Sequence, residues 1–562
     1  MGVALLSRQK WAYCIVLCCI LVSGVAVAQA AELAPVLSSA GVTLKNRVAE
    51  PGFSFTPRLT VSELYSDNIT LAPSDAEKSD FVTVIEPGIS ASFNGNRLDF
   101  VFDYTMQNLL YAHNSEFNDT NHQLDLDATA EFFRDRLFLD MNGSLSQQSV
   151  DTEEQLSDDN IADSDNRRDV TTFSLSPYYK NDFFGYVETD VRYTYGIVRF
   201  SGDGAPNDAS MTESKSPSDV EDKRLEINLT NGRRVDRTTW EVDFFKQDLN
   251  RDGGQNADSD SSSNDSERES LTARADYRLS REWRIAARGG YENNDLASDS
   301  NQDESDNGGY WSIGGVWTPS RFLELEAFYG PSDNEIAVRL APTTRTSIKL
   351  SRRDRDVGVD TGEIFSGSLQ HRTRYTVWTA SYTEETTSTQ ELELASVRTG
   401  GDELIDDNGQ VVLPDDLDER GNLINEEFFR KRFNFSFAYS RGRSLITINS
   451  FFEDRQFNTD TADEKTSGAD ARWVWRLGAK TNSFIDLRWE RNETGDTSTV
   501  NNSTQNDSNG DNNLWRLAVG LQHNFTERLN AGAEYSYARR DADFSQDDYR
   551  ENRVTLLLRM EF

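Results

Sequence analysis

The chain ends in Val554-Thr555-Leu556-Leu557-Leu558-Arg559-Met560-Glu561-Phe562, and this stretch decides how the rest is interpreted. Its apolar positions recur at every second residue and finish on an aromatic. A period of two places one set of side chains on each face of an extended strand. The end of the sequence therefore predicts an amphipathic β-strand. The alternating set is Val554, Leu556, Leu558, Met560 and Phe562.

The same alternation recurs throughout the chain. It is clear over 98–107, 124–132, 271–279 and 515–522, where apolar side chains alternate with polar or charged ones. Between such runs stand short turn sequences whose Gly, Asn and Pro suit tight reversals. We interpret eleven of them as hairpin turns. Eleven hairpins and one further strand at each end of the chain predict about 24 strands, with a range of four either way. They lie near Asn94-Gly95-Asn96, Arg134-Asp135, Asn181-Asp182, Asn231-Gly232, Ser280-Arg281, Pro319-Ser320, Pro342-Thr343, Arg372-Thr373, Arg441-Gly442, Lys480-Thr481 and Thr526-Glu527.

The connections between the hairpins are long and acidic, as in 202–219, 250–269 and 497–513, and the longest runs over 388–427. Short turns at one end and long loops at the other are typical of a transmembrane antiparallel up-and-down β-barrel, with short periplasmic turns and long extracellular loops. A soluble solenoid would show one repeat length, and stacked sandwiches would have similar turns on both sides. Because a barrel is apolar only on its outer face, the mean hydropathy of −0.66 fits. The class is all-β.

The N-terminus has the features of an export signal. Arg8 and Lys10 precede an apolar run and two A-x-A sites, which predicts a signal peptide over 1–28, cleaved after Ala28 or Ala30. We expect a short periplasmic extension over 29–52 and a barrel over 53–562. All three cysteines lie in the removed segment, so the mature chain has no thiolate chemistry. Cleavage takes the net charge from −37 to −39, which excludes nucleic-acid binding.

The terminal strand resembles the signal that the barrel-assembly machinery of the bacterial outer membrane recognises. Together with the export signal and the asymmetric loops, it predicts a location in the outer membrane of a Gram-negative bacterium. The partners expected there are outer-membrane lipid, lipopolysaccharide and that assembly machinery. Trp240, Trp283 and Trp317 stand beside short turns and are predicted to form part of a periplasmic aromatic girdle.

The first part of the mature chain carries a family resemblance. Thr60–Pro73, with Tyr65-Ser66-Asp67-Asn68-Ile69, is followed by Phe81–Ser90 and by Leu98–Tyr111 with its Asp-Tyr pair. These segments resemble the start of PEP-CTERM-system-associated outer-membrane β-barrel proteins, and the likeness covers roughly the first 90 mature residues. It implies a barrel encoded near exopolysaccharide and protein-sorting genes, with polysaccharide-export components as partners. The family supplies no catalytic residues, and the long acidic loops here depart from it.

Motifs for catalysis are missing. The sequence contains no HExxH, GxSxG, GxxxxGK or GxGxxG. His113 and His122 would flank one outer loop, where solvated strand ends are the simpler interpretation, so we expect a protein that is not an enzyme. No cofactor or defined metal site is expected. The acidic loops have oxygen-rich clusters that suit loose Ca²⁺ or Mg²⁺ binding but lack a complete calcium-binding loop: Asp258, Asp260 and Asp265, or Asp507 and Asp511.

If the apolar set faces lipid, the alternate set lines the lumen. The predicted acidic lining is Asp99, Asp103, Asp125, Asp127, Glu131, Glu241 and Asp243. The predicted basic lining is Arg274, Arg278, Arg284, Arg288, Arg472, Arg476 and Arg516. Opposed arcs of charge would set up a transverse field that orients solutes. Alternatively, these residues pair across strands and only solvate the wall.

A barrel of about 24 strands either forms an open aqueous channel or is occluded by its own loops. We expect 388–427 to be an infolded loop, with Val411-Val412-Leu413-Pro414 apolar enough to pack inside. The leading interpretation is a porin-like pore or an export component for exopolysaccharide or surface protein. Because acidic loops repel acidic polymers, a neutral saccharide or a cation is the expected solute. The alternatives are a structural or adhesive barrel whose loops bind cations or matrix and, remotely, an outer-membrane enzyme.

Overall fold

The computed structural model describes residues 52–151, 157, 159–162, 166–201, 218–235, 237–251, 265–296, 307–398, 426–457, 462–495, 511–543 and 547–562. The predicted signal peptide lies outside these ranges, and so does nearly all of the predicted extension. The strands begin at Gly52 and end at Glu561.

Within these ranges the chain forms 24 strands in one antiparallel sheet, as the alternation predicts. The strands are β1 Gly52–Ser66, β2 Asp80–Asn94, β3 Leu98–Tyr111, β4 Asp119–Phe133, β5 Leu137–Ser149, β6 Arg167–Phe183, β7 Val187–Ser201, β8 Val220–Asn231, β9 Thr238–Arg251, β10 Ser266–Arg278, β11 Trp283–Asp295, β12 Gly308–Ser320, β13 Leu323–Tyr329, β14 Asp333–Thr343, β15 Thr346–Arg355, β16 Gly362–Arg372, β17 Thr376–Ser388, β18 Glu427–Arg441, β19 Ser444–Phe457, β20 Glu464–Arg476, β21 Thr481–Thr494, β22 Asn512–Asn524, β23 Leu529–Ala542 and β24 Tyr549–Glu561.

Each strand pairs with its neighbours in sequence, and the sheet closes where β1 meets β24. Arg58 pairs with Glu561 and Ser66 pairs with Arg553 along that seam. The backbone N–H of Phe562 donates to the carbonyl of Pro57 at 3.0 Å. Closure gives every described strand a neighbour on each side over part or all of its length, which is what the hydrocarbon layer of a membrane demands.

The connections alternate in length. At one end of the barrel, strands are joined by turns of two to six residues. Gly442, at φ +64°, makes the tight reversal between β18 and β19. Three predicted turns lie a few residues away: Asn181 and Asp182 still belong to β6, and the chain reverses after Phe183, while Ser320 and Thr343 are the last residues of their strands. These strands continue further than turn-forming residues suggest because β pairing extends over them.

The outer face of the wall is apolar. Leu271, Trp311, Ile336 and Leu350 are among many large apolar side chains that stay 46–60% exposed on the strands. The alternate positions point inward and are buried and mostly polar, as Thr172, Ser174 and Ser176 show on β6. In the part of the chain that the structure describes, two short helices lie between strands: Ser115–Phe117 and α1 Thr389–Arg398. No helix in the described ranges is long and apolar enough to cross a membrane.

Candidate lumen and its infolded segments

The predicted lining residues occupy the inward positions of their strands, alternating with outward apolar neighbours. On β10, Arg274 and Asp276 alternate with Leu271, Ala273 and Tyr277, and the outward Leu271 and Tyr277 are 46% and 44% exposed. The terminal set also faces outward: Val554, Leu556, Leu558, Met560 and Phe562 are 36–61% exposed. This parity supports the division of the wall into a lipid face and a lumen face.

The basic residues of β10 and β11 are matched by acids from β13 and β14. Arg274 donates to Glu326 and to Asp276, at 2.8 Å each. Arg284 lies 3.1 Å from Glu324. Arg288 donates to Asp333 at 2.6 Å and also contacts Glu335. These pairs partly neutralise this part of the wall.

Further round the wall the pairing continues. Arg472 lies 3.4 Å from Asp486, and Arg516 lies 3.9 Å from Glu534. Arg278 and Arg476 stand at the last positions of β10 and β20 and are exposed at the short-turn end, so they belong to the mouth of the lumen.

The acidic set lies on β3, β4 and β9. Asp103 binds Arg58. Asn142 donates to Asp127 at 2.6 Å, and Asn228 donates to Asp243 at 2.5 Å and to Glu241 at 3.0 Å.

Two predicted acidic residues lie close to the short turns. Glu131 accepts the backbone N–H of Asp135, so its carboxylate also orders the turn after β4. Asp99 is exposed near the start of β3. Asp125 occupies an inward position of β4 between Leu124 and Leu126.

The sequence analysis missed a buried charged cluster on β18 and β19. Glu453 accepts hydrogen bonds from three arginines: Arg430 at 2.9 Å, Arg432 at 2.8 Å and Arg455 at 2.5 Å. All four residues are no more than 5% exposed. Arg430 and Arg432 stand at alternate positions of β18, and Glu453 and Arg455 at alternate positions of β19, a signal that is present in the sequence beside several phenylalanines.

Helix α1 packs against the inside of the barrel, ten strands from the strand that leads into it. Leu394 is 3% exposed and packs on Val170 of β6 and Val198 of β7. A Cβ added at Gly196 of β7 would lie 2.8 Å from Leu394 Cδ2, so the leucine sits over the one residue type that leaves it room. The described start of 388–427, Thr389–Arg398, therefore lies against the inner wall.

Polar contacts fix the orientation of α1. Glu391 accepts from Gln247 of β9 at 2.9 Å and lies 3.4 Å from Arg268 of β10. Gln148 of β5 donates to Glu393 at 3.2 Å. On the other side of the helix, Leu392 packs against the buried pair Phe428 and Phe457. Val411-Val412-Leu413-Pro414 lie outside the described residues.

A second segment, Asp159–Ala162 between β5 and β6, also reaches inward. Asp159 lies 2.6 Å from Arg553 of β24. Asn160 donates to Gln107 at 3.1 Å and to Gln147 at 2.9 Å. Ile161 packs against the apolar cluster around Leu64, so the segment joins the two ends of the wall across the seam.

The charges around Asp159 favour its buried contact with Arg553 of β24. Burial alone would raise the pKa of its carboxyl, but the opposing charges of Arg553, Arg516 and Arg167 hold that pKa below its usual 3.8. The carboxylate therefore remains ionised while it is buried. The ion pair with Arg553 therefore holds this part of the acidic β5–β6 connection against the inner wall.

No group of three or more His, Cys, Asp or Glu that could hold a metal ion occurs among the described residues. Of the acidic clusters named above, Asp258, Asp260 and Asp507 lie outside the described ranges. Asp511 directly precedes β22 and accepts a hydrogen bond from Arg491 at 3.1 Å.

A closed barrel with an apolar belt outside and a charged lumen inside defines the class: this is an outer-membrane β-barrel protein of a Gram-negative bacterium. No family model matches the chain, and no curated protein matches it.

Solved structures of similar architecture are known. The FrpB iron transporter from Neisseria meningitidis (F5-1 variant) is 10% identical, with 91% of this chain and 83% of that chain covered and a TM-score of 0.45. A variant of the ferric enterobactin receptor PfeA from Pseudomonas aeruginosa is 9% identical, with 91% and 81% covered and a TM-score of 0.44. The siderophore receptor PirA from Acinetobacter baumannii is 8% identical, with 90% and 80% covered and a TM-score of 0.43.

Proposed function

We propose that the protein is a non-enzymatic conduit of the outer membrane whose lumen is narrowed from the extracellular side by its own chain. The observation that carries this proposal is α1, which leaves the wall after β17 and packs on β6 and β7. Barrels of 16–18 strands already leave an aqueous channel, so a 24-stranded wall without a filling would be wide open. An inward helix held by two leucines and a few polar contacts is a restriction that a solute can displace.

The charge of the connections constrains the solute. The segments between strands on the long-loop side contain 44 acidic and four basic residues. Such a surface repels polyanions and concentrates cations. We therefore infer that a neutral saccharide or a cation passes. The resemblance to PEP-CTERM-associated barrels supports a link to exopolysaccharide or surface-protein export, with the export components as partners.

Planar-bilayer conductance tests the conduit. Ser388 and Glu427 are directly paired across β17 and β18, so 389–426 can be replaced by a tight Asn-Gly turn without cutting the wall. We expect the replaced variant to conduct several times more than the full chain. Replacing 496–510, which joins β21 and β22, by a short Gly-Ser linker is the matched control and should leave conductance near its original value. A loop-replaced barrel that conducts no better would refute the proposal.

The second candidate function is a structural barrel whose acidic loops bind cations or surface matrix, which the excess of 40 negative charges on one side favours. Two measurements, matrix attachment and bilayer conductance, distinguish this function from the conduit. Loss of matrix attachment on trimming the loops, with conductance unchanged, would favour it. If a strain that lacks this gene secretes normal amounts of polysaccharide, the proposed link to exopolysaccharide export is wrong, whereas the conduit proposal is unaffected.

A further inference from the structure

The two ends of the barrel differ in charge more than the composition suggests. The short turns hold 13 basic and four acidic residues, in a chain whose net charge is −37. Ten of the eleven turns between described strands carry at least one basic residue. We call these 13 residues the basic rim: Arg97, Arg134, Arg136, Arg233, Arg234, Arg237, Arg281, Arg321, Arg345, Arg374, Arg443, Lys480 and Arg528.

The basic rim is available for binding. All 13 side chains are exposed. Among the described residues, two of them lie within 4 Å of a carboxylate: Arg134 is 3.7 Å from Asp135, and Arg233 is 3.9 Å from Glu188. The charge of the rim is therefore largely uncompensated by the protein, in contrast to the arginines of the lumen.

Aromatic side chains place the rim at the membrane interface. The guanidinium of Arg321 lies 4.7 Å from the ring centre of Phe322, and that of Arg374 lies 5.1 Å from the ring of Tyr375. Trp283 and Trp317 stack at 5.6 Å just inside the turns. Tryptophan and tyrosine mark the headgroup level of a bilayer, so the cations beside them stand at the depth of the lipid phosphates.

We infer that the basic rim binds the phosphate groups of phospholipids in the periplasmic leaflet and holds anionic phospholipids around the barrel. Arginine matches phosphate through charge and paired N–H donors. The distribution favours lipid over an acidic protein partner. A docking partner would need a patch on one arc of the rim, whereas these cations occur in turns all round the wall.

One place on the rim brings two cations and an aromatic side chain together. An open recess between two neighbouring turns is lined by Lys480, Phe525, Thr526, Glu527 and Arg528. Lys480 Nζ donates to the carbonyl of Phe525 at 3.2 Å, which holds the amine over the recess. A phospholipid whose phosphate group lies between Lys480 and Arg528 would place its acyl chain against Phe525.

Spin-labelled lipids test this inference independently of transport. The full-length protein is reconstituted in phosphatidylcholine bilayers with trace spin-labelled phosphatidylglycerol or phosphatidylcholine, and the motionally restricted fraction gives their relative association. One variant replaces six rim arginines by glutamine, and its matched control replaces the same six by lysine. The six are Arg97, Arg281, Arg321, Arg345, Arg374 and Arg443.

We expect the unmodified protein and the lysine variant to prefer phosphatidylglycerol several-fold, and the glutamine variant, which keeps the other seven cations of the basic rim, to show a clearly smaller preference. The preference should also fall with added salt, which provides a readout on the unmodified protein if the glutamine variant fails to fold. A ratio near one for the unmodified protein would overturn the inference and point to an acidic protein partner instead. An unchanged ratio in a folded glutamine variant would overturn it equally.

Discussion

Leu394 of α1 packs over Gly196 of β7, although 198 positions separate them in the chain and ten strands separate β7 from β17 around the wall. The glycine provides the space and the leucine fills it. This relationship holds the beginning of the longest connection inside the barrel. Its disruption is the most direct way to learn what that connection does.

Gly196→Val should displace α1 from the wall. A Cβ at this position already lies 2.8 Å from Leu394, and valine adds two further methyl groups. We expect amide hydrogen exchange over 389–398 to become fast and bilayer conductance to rise. Leu394→Ala, which removes the same contact from the other side, should have the same effect, whereas Leu271→Ala on the lipid face should not. Slow exchange in both lumen variants would show that other contacts hold the helix.

Asp159→Asn should release Asp159–Ala162 from β24. Because the pKa of Asp159 is held below its usual 3.8, its contact with Arg553 is fully present above that value and is lost only as pH falls through the lowered pKa. We expect unchanged amide protection factors of this segment in the unmodified protein from pH 7 to pH 5, and lower protection factors in the variant throughout. Asp541→Asn, in an exposed pair with Arg539, is the control and should have no effect.

Glu453→Gln should destabilise the wall between β18 and β19. The substitution removes the carboxylate that three buried arginines share, and breaking a buried ion pair costs about 3–5 kcal/mol. A lowered midpoint in the thermal conversion of the folded to the unfolded gel form would show this. Glu363→Gln, which breaks the exposed pair with Arg352, should leave the midpoint unchanged.

Replacing Arg274, Arg284 and Arg288 together by glutamine should make the lumen more selective for cations. The carboxylates of Glu326, Glu324 and Asp333 would keep their charge and lose these cationic partners. The reversal potential in a salt gradient measures the change. Unchanged selectivity would mean that these pairs only solvate the wall and do not face the conducting path.

Removal of Phe562 should reduce assembly in the membrane several-fold. Its backbone N–H closes the seam on Pro57, and its side chain is 61% exposed on the outer face, where assembly factors can reach it. The amount of heat-modifiable barrel in the outer membrane measures the effect. Phe525→Ser, at an exposed turn aromatic, is the matched control, and equal losses in both variants would mean that Phe562 has no special role.

The strands could be predicted from the sequence because their cause is local. Alternation such as Leu98 to Met106 is visible in any short window, and a closed barrel follows once every edge must be paired. The positions of the turns after β6, β12 and β14 were less accurate, since pairing extended those strands beyond the turn-forming residues.

The filling of the lumen could be anticipated only in outline. An infolded loop was predicted from the width of the barrel, but the helix at Thr389–Arg398 was not, because its partners Gly196 and Arg268 are remote in sequence. The docking of Asp159 on Arg553 was missed for the same reason. Among so many acidic residues, nothing local distinguishes the one that becomes buried.

The seam between β1 and β24 has a consequence for biogenesis. The first and the last strands are neighbours, so the sheet cannot close until β24 is available to pair with β1. Before that step both border strands carry unpaired backbone N–H and C=O groups. A chain truncated within β24 would therefore form an open sheet with two unpaired edge strands, and not a barrel with one strand fewer. We expect such a product to aggregate or to be degraded.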